Sequence, residues 1–282
     1  MVKLIVDSGG TKADWTLIQR NQVLKQISSI GLQPFVQSQI EILQTIDALD
    51  LSTEEVHSIE SIYYYGSGCG AVEQQHYIAS LLQTKFKLAE IIVKGDLLGA
   101  AIACCGNKAG LVGILGTGSN SCFYDGDKIV LQVPSLGFIL GDEGSGANIG
   151  KELIKSYFYG TMPPDLSDSF RTNISGDREE VLNHIYRKPK PNVYLASIAK
   201  FAADHKEHTF IQNLIATNFN AFIENQILQY QPSPNNPVHF VGSIAFIWKD
   251  LLATCLKKYE LELGKIITKP IEALTQYHMH NE

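Results

Sequence analysis

An α/β protein of two domains is the fold class the sequence predicts. Three observations carry it: a length of 282 residues, an opening that reads strand, strand, strand, helix, strand, helix, strand, helix, and a second copy of the start of that opening further along. At roughly 150 residues per domain, each half is long enough to bury its own core. With 45% hydrophobic and 18% charged residues, the chain gains more from burying apolar surface than it loses in chain entropy, so it is globular.

Residues 4–6, 14–19 and 23–28 read as three short strands, joined by the glycine-rich loop Asp7-Ser-Gly-Gly-Thr-Lys12 and the polar turn Arg20-Asn-Gln22. A helix follows over 38–49, then a strand over 61–65, a helix over 71–82, a strand over 90–93 and an alanine-rich helix over 97–105. The opening recurs from Gly110: a strand over 111–115, the loop Gly116-Thr-Gly-Ser119, a strand over 120–124, the turn Asp125-Gly-Asp127 and a strand over 128–133. Superposing Thr11 on Thr117 also places Val23 on Ile129 and Gln26 on Gln132, and an internal duplication is the simplest cause. Helices are then predicted over 147–160, 178–186, 194–205 and 209–229. The break Pro232-Ser-Pro-Asn-Asn-Pro237 precedes a strand over 238–241, the turn Gly242-Ser243 and a helix over 245–258. The last strand and helix, 265–280, are expected to return to the first domain. The domains are thus drawn as 1–107, completed by 266–282, and 108–265.

Lys+Arg 23 against Asp+Glu 29 gives a net charge of −6 with no long basic run, which argues against nucleic acid as the partner and favours a small molecule. No apolar stretch has bilayer length, and the first residues lack the apolar core and cleavage site of a signal peptide, so a cytoplasmic protein away from membranes is expected. The five cysteines are odd in number and contain no CxxC, so buried thiols are the default reading.

The two glycine-rich loops carry the chemistry. Glycine lets backbone N–H groups point inward with no Cβ in the way, and Ser or Thr hydroxyls add donors, which suits polyphosphate. Either loop alone reads first as a tight hairpin turn. Their duplication at matched spacing favours two loops holding one nucleotide from both sides of a cleft. Asp7 ends an apolar strand, where a divalent ion would offset the cost of an uncompensated carboxylate. Asp96 heads a helix, which makes it an N-cap by position alone, and Asp142 precedes a helix in the same way.

The segments Asp7-Ser-Gly-Gly-Thr-Lys-Ala-Asp-Trp15, Gly95-Asp-Leu-Leu-Gly-Ala-Ala101, Gly113-Ile-Leu-Gly-Thr-Gly-Ser-Asn-Ser121, Gly141-Asp-Glu-Gly-Ser-Gly146 and Val241-Gly-Ser-Ile-Ala-Phe246 resemble, in order and spacing, the signatures of the N-acetylglucosamine kinases. These belong to the BadF/BadG-type ATPases of the sugar kinase, actin and heat-shock chaperone superfamily. The resemblance covers nearly the whole chain. It implies two ribonuclease H-like domains of the actin-like ATPase fold flanking a cleft for nucleotide and sugar.

The same resemblance implies that Asp7 holds Mg²⁺ through water, and that Ser8, Gly9, Gly10, Thr11 and Lys12 belong to the first phosphate loop. For Lys12 a solvated side chain weighs equally, because the motif does not fix where its ammonium points. Gly116, Thr117 and Gly118 would face the phosphates of the same ATP, with Gly242 and Ser243 against its adenosine. Asp96 would accept the proton of the sugar's 6-hydroxyl as that oxygen attacks the γ-phosphorus. Ser119, Asn120 and Asp142 would bind sugar hydroxyls, with Ser135, Leu136 and Gly137 along the acetamido side. Gln33 stands where these kinases usually carry Asn; its extra methylene shifts the amide by about 1.5 Å.

The implied activity is ATP-dependent phosphorylation of N-acetylglucosamine or a related amino sugar, with ATP and Mg²⁺ as cofactors and a homodimer as one expected assembly. A competing class is the ATPase activator of 2-hydroxyacyl-CoA or benzoyl-CoA reductive enzymes, which shares a cluster of four thiolates between two chains. Against it, Cys104 and Cys105 are adjacent in a helix and would point about 100° apart. A sugar-responsive repressor would need a DNA-binding segment ahead of the first loop, and only six residues precede Asp7.

Overall fold

The apolar run Leu4-Ile-Val6, wholly buried, makes β1 (Val2–Ser8) the centre of a five-stranded sheet ordered β3-β2-β1-β4-β5. On one side β2 (Lys12–Gln19) and β3 (Gln22–Ile30) continue it antiparallel. On the other, β4 (Ser61–Gly66) and β5 (Glu90–Gly95) run parallel to β1, and parallel neighbours need crossovers. Helices α1 (Gln39–Asp47) and α2 (Thr53–Ser58) supply the first crossover, α3 (Val72–Lys85) the second, and α4 (Asp96–Cys105) leaves β5 directly. Both α1 and α2 begin with capping boxes, Ser38 with Glu41 and Ser52 with Glu55, which satisfy backbone donors at the helix start. The structure is a computed structural model describing residues 1–173, 177–231 and 237–280.

A second sheet contains β6 (Gly110–Leu115), β7 (Ser119–Tyr124), β8 (Ile129–Leu131), β9 (Val238–Val241) and β10 (Leu263–Ile267). Read from the β8 edge its order is β8-β7-β6-β9-β10, the order of the first sheet strand for strand. The senses agree as well: β6 and β7 are antiparallel, while β6, β9 and β10 are parallel. The duplicated opening therefore extends to a duplicated sheet. Around the second sheet stand α5 (Gly137–Leu140), α6 (Gly146–Phe158), α7 (Pro164–Asn173), α8 (Arg178–Tyr186), α9 (Pro191–Asp204), α10 (Thr209–Asn225), α11 (Ser243–Ile247) and α12 (Lys249–Lys257). The chain ends in α13 (Pro270–His280).

Two units of contact emerge: Met1–Ala109 with Asp125–Ile129 and Lys269–Glu282, and Gly110–Tyr124 with Val130–Thr268. Each has its own core. The first packs Leu4, Val6, Trp15, Leu17, Ile62 and Tyr64 beneath its helices, and the second gathers Leu115, Ile149, Phe219, Phe222, Phe240 and Leu252. In the second unit α6 and α9 lie so close that a Cβ on Gly150 would overlap the Leu195 carbonyl. Among the described residues no helix is long and apolar enough to cross a membrane.

Several elements differ from the sequence reading. The helix over 209–229 ends at Asn225 and gives way to a 3-10 turn, Ile227–Tyr230, whose Tyr230 hydroxyl bonds to the Ser121 hydroxyl at 2.7 Å. The helix over 245–258 is two helices broken at Trp248. Helices α2, α5 and α7 were not expected; α2 is short and buries no residue, so it carries no apolar period to read. The proline-rich break falls outside the described residues over 232–236. The last strand does not return to the first domain, because β10 pairs with β9, and only α13 packs on α4 and β1.

That docking is anchored by His278. Its ring stacks on Tyr63 at 4.0 Å, its Nε2 lies 2.9 Å from the Tyr65 hydroxyl, and its backbone oxygen accepts from the Lys3 ammonium. Burial, followed by the Lys3 charge, lowers its pKa to about 4. The unfolded chain therefore takes up a proton near pH 6.5 that the folded one refuses until about 4. This contribution is complete above pH 6.5 and falls by about 3 kcal/mol as the pH drops through that window. The melting temperature of His278→Gln is expected to fall less than that of wild type between pH 6.5 and 4.5; equal falls would contradict this.

Candidate active site

In the first unit the phosphate-loop candidate is the β1–β2 hairpin, closed by the Gly9 N–H donating to the Lys12 carbonyl at 2.9 Å. Gly31, at the end of β3, donates to the Thr11 carbonyl at 3.1 Å, and a Cβ there would overlap the Gly9 carbonyl. Its requirement comes from non-local packing, which sequence spacing did not reveal. The Gln33 amide reaches this hairpin, its Nε2 lying 3.4 Å from where a Cβ on Gly10 would stand. Lys12 is more than half exposed and its ammonium lies 2.7 Å from the Asp14 carboxylate.

Ser8 is a correction. β1 runs through it, so strand alternation turns its side chain to the face of Leu4 and Val6. It is fully buried, its hydroxyl oxygen accepts from the Leu32 N–H at 3.0 Å, and its carbonyl accepts from the Ser67 N–H at 2.8 Å. Its side chain fixes the loop from inside rather than facing a phosphate.

Asp7, one residue before the end of β1, and Asp96, which follows β5, lie at the same end of the parallel strands: Asp7 is paired with Tyr65 of β4, and Gly95, just before Asp96, with Gly66 of β4. Asp96 does not cap α4. Gly95 occupies the N-cap and Asp96 is the first helical residue, so its carboxylate is not committed to the capping bond its position suggested. It accepts instead from the Leu97 N–H, the Ser67 hydroxyl and its own N–H. Burial raises its pKa, and those three donors oppose the rise. Burial, then the charges of Asp96 and Asp14, pushes the Asp7 carboxyl up to about 7. Burial and Asp96 also push the Cys69 thiol up to about 12. The first unit thus holds two carboxylates, Asp7 and Asp96, in a setting that disfavours their charge, with the Lys12-paired Asp14 adding its field at Asp7.

In the second unit the corresponding hairpin is closed by the Gly116 N–H donating to the Gly118 carbonyl at 3.0 Å. The N-terminus of α6 holds it from behind. The Gly146 N–H donates to the Gly116 carbonyl at 2.8 Å and the Ala147 N–H to the Thr117 carbonyl at 3.0 Å, while Ser145 caps the helix. Asp142 is therefore not the cap. It sits at φ 60°, in the left-handed region that Asp tolerates better than most residues, with its carboxylate over Gly118 and accepting from the Ser119 N–H. A Cβ on Gly118 would lie 2.9 Å from Asp142 Oδ2. Burial and then the Glu143 charge raise the Asp142 pKa, against the opposing Ser119 N–H and Lys151 charge.

Asn120 lies on β7, and its Oδ1 accepts from the Ser121 N–H at 2.9 Å. Ser135 and Leu136 form an exposed approach to α5, with Leu136 at 61% exposure, and Gly137 begins that helix at φ 71°. Gly242 joins β9 to α11 at φ 124°, and a Cβ on it would overlap the Leu115 carbonyl. The Gly242-Ser243 turn and the second loop are therefore neighbours. Gly242→Ala should lower stability by about 2–4 kcal/mol and shift the second loop, read as a drop in melting temperature; an unchanged melt would contradict the packing. A groove of about 400 Å³ lined by α6 and α10, including Glu152, Phe210 and Thr217, holds none of the predicted site residues.

Cys69, Cys104, Cys122 and Cys255 are buried and Cys105 is partly so. Among the described residues no group of three or more His, Cys, Asp or Glu side chains could hold a metal ion by itself.

No family model and no curated protein matched the chain. Solved structures did. A putative N-acetylglucosamine kinase from Porphyromonas gingivalis is 38% identical, with a TM-score of 0.93 over 99% of both chains. A second putative N-acetylglucosamine kinase, from Chromobacterium violaceum, is 17% identical with a TM-score of 0.73 over 98% of both chains. A ROK family glucokinase from Streptomyces griseus, solved with glucose and AMPPNP, is 12% identical with a TM-score of 0.62 over 98% of both chains. The last two share the fold, which is the actin-like sugar kinase fold with its two mixed five-stranded sheets.

Proposed function

The chain belongs to the family of the putative N-acetylglucosamine kinase from Porphyromonas gingivalis, and from that premise we propose that it transfers the γ-phosphoryl group of ATP to the 6-hydroxyl of N-acetylglucosamine or a closely related amino sugar. The observation that carries this reading is the carboxylate pair Asp7 and Asp96 at the ends of the parallel part of the first sheet, beside a hairpin of glycine N–H groups.

In this reading Asp96 is the general base. The sugar oxygen forms its bond to the γ-phosphorus, the bond from that phosphorus to the bridging oxygen of ADP breaks, and the hydroxyl proton passes to the Asp96 carboxylate. A weakly basic carboxylate suffices because proton loss can run late in a loose transition state. Desolvation that raises its pKa makes it a better acceptor. Gly10 and Thr11 offer backbone donors to the β- and γ-phosphates, while Gly9, whose N–H closes the hairpin on the Lys12 carbonyl, lets them approach the backbone, with Lys12 at the rim held by Asp14. Gly116, Thr117 and Gly118 form a second phosphate loop, and Gly242 with Ser243 serves the adenosine. Ser119, Asn120 and Asp142 bind sugar hydroxyls, Ser135, Leu136 and Gly137 line the acetamido side, and Gln33 adds an amide beside the first loop.

The residues fit Mg²⁺. Asp7 is a half-buried carboxylate close to two others, and among the described residues no ready-made cage surrounds it, which suits an ion that keeps its waters and leans on phosphate oxygens. When bound, the ion would neutralise charge on the β- and γ-phosphates. The iron–sulfur reading gains nothing here, since Cys104 lies buried in α4 and Cys105, beside it, is only partly exposed.

ADP release measured against a panel of amino sugars tests the proposal. The expected result is release stimulated by N-acetylglucosamine or a close relative. Release indifferent to every sugar, or a purified protein with a visible absorption band, would overturn it.

A further inference from the structure

The turn after β4, Gly66-Ser-Gly-Cys-Gly70, is a third glycine-rich segment of the first unit, and it contacts the end of β1, the segment after Gln33 and the start of α4. The Ser67 N–H donates to the Ser8 carbonyl at 2.8 Å, tying the turn to the strand that carries Asp7. A Cβ on Gly66 would overlap the Tyr64 ring, and Gly68, at φ 81°, leaves room for Pro34 and Phe35, which follow Gln33. The turn is closed by the Cys69 N–H donating to the Gly66 carbonyl at 3.1 Å, and the Cys69 carbonyl accepts from Gln75 Nε2 at 3.0 Å. That carbonyl also faces Gly95, immediately before Asp96. From this braced turn the Ser67 hydroxyl donates to the Asp96 carboxylate.

We propose that Ser67 is a positioning residue for phosphoryl transfer: its hydroxyl fixes the rotamer of the Asp96 carboxylate, so that the oxygen meant for the sugar's proton is held where the alcohol arrives. This rests on the reading of Asp96 as base. Asp96 sits at the first position of a helix, and a carboxylate held only by the backbone N–H groups of its own turn can still rotate about its terminal torsion. A second donor from a different element removes that freedom. Ser67 is suited to the task because its own backbone is pinned to Ser8, so the positions of Asp7 and Asp96 are set through one short piece of chain.

The test compares wild type, Ser67→Ala, Ser67→Thr and Asp96→Asn by steady-state kinetics with MgATP and the best amino sugar, each with a melting curve. Ser67→Ala is expected to lower kcat by about 10–100-fold, since misplacing a reacting group by an ångström has that order of effect. KM for ATP and for sugar should stay within about threefold of wild type and the melting temperature nearly unchanged. Ser67→Thr, which keeps the hydroxyl, should recover most of kcat. If wild type is active and Asp96→Asn is not, but Ser67→Ala retains wild-type kcat, or Ser67→Thr is as slow as Ser67→Ala, the positioning role is overturned. If Asp96→Asn itself retains wild-type turnover, the reading of the base fails instead.

Discussion

Asp96→Asn should leave a folded protein that binds ATP and turns over sugar at least about 10²–10⁴-fold more slowly, the range attributable to a single general base. The amide oxygen of Asn can still accept from the Leu97 N–H and the Ser67 hydroxyl, so the local structure has reason to persist. Proton acceptance is what disappears. Because Asp96 is not the cap of α4, the substitution removes no capping bond, and the usual loss of about 1 kcal/mol for a missing cap is not expected. Melting curves and nucleotide binding by calorimetry would separate loss of chemistry from loss of fold. A variant with near wild-type kcat would remove Asp96 from the reaction.

The second large effect has opposite signs for stability and activity. Asp7 is a half-buried carboxylate whose charge is opposed first by desolvation and then by Asp96 and Asp14. Asp7→Asn keeps the shape and relieves that crowding, so in the absence of nucleotide and Mg²⁺ the variant should be more stable than wild type by about 1–3 kcal/mol. Turnover should fall by about 10²-fold or more, because neutralising the phosphates contributes most of the barrier reduction in phosphoryl transfer. Thermal melts at pH 8 without Mg²⁺, paired with kinetics at saturating Mg²⁺, read both effects. A variant that melts lower than wild type would show that the Asp7 charge is already compensated within the protein.

What could be read in the sequence was what short range dictates. The two glycine loops announced themselves because a tight hairpin selects glycine locally, and their equal spacing led to two sheets of one topology. The capping serine and the apolar period placed α1 within a residue or two. Ser8 could have been placed correctly as well, since counting by two from Leu4 through Val6 puts it on the core face; grouping it with the loop motif hid that. An acidic residue before a helix commonly caps it, which is the ordinary role their positions suggest for Asp96 and Asp142, whereas Gly95 and Ser145 hold those cap positions. Gly31, Ser67 and the Gly118–Asp142 contact were out of reach, because each arises where chain segments distant in sequence approach closely.

The most direct test is phosphorus NMR of the product formed from MgATP and N-acetylglucosamine, or from whichever amino sugar the panel selects. A phosphate resonance coupled to the two protons of the C6 methylene, formed in step with ADP and absent with Asp96→Asn, is the predicted result. Accumulation of ADP and inorganic phosphate with no sugar phosphate, or a phosphate carried on another oxygen of the sugar, would contradict the account.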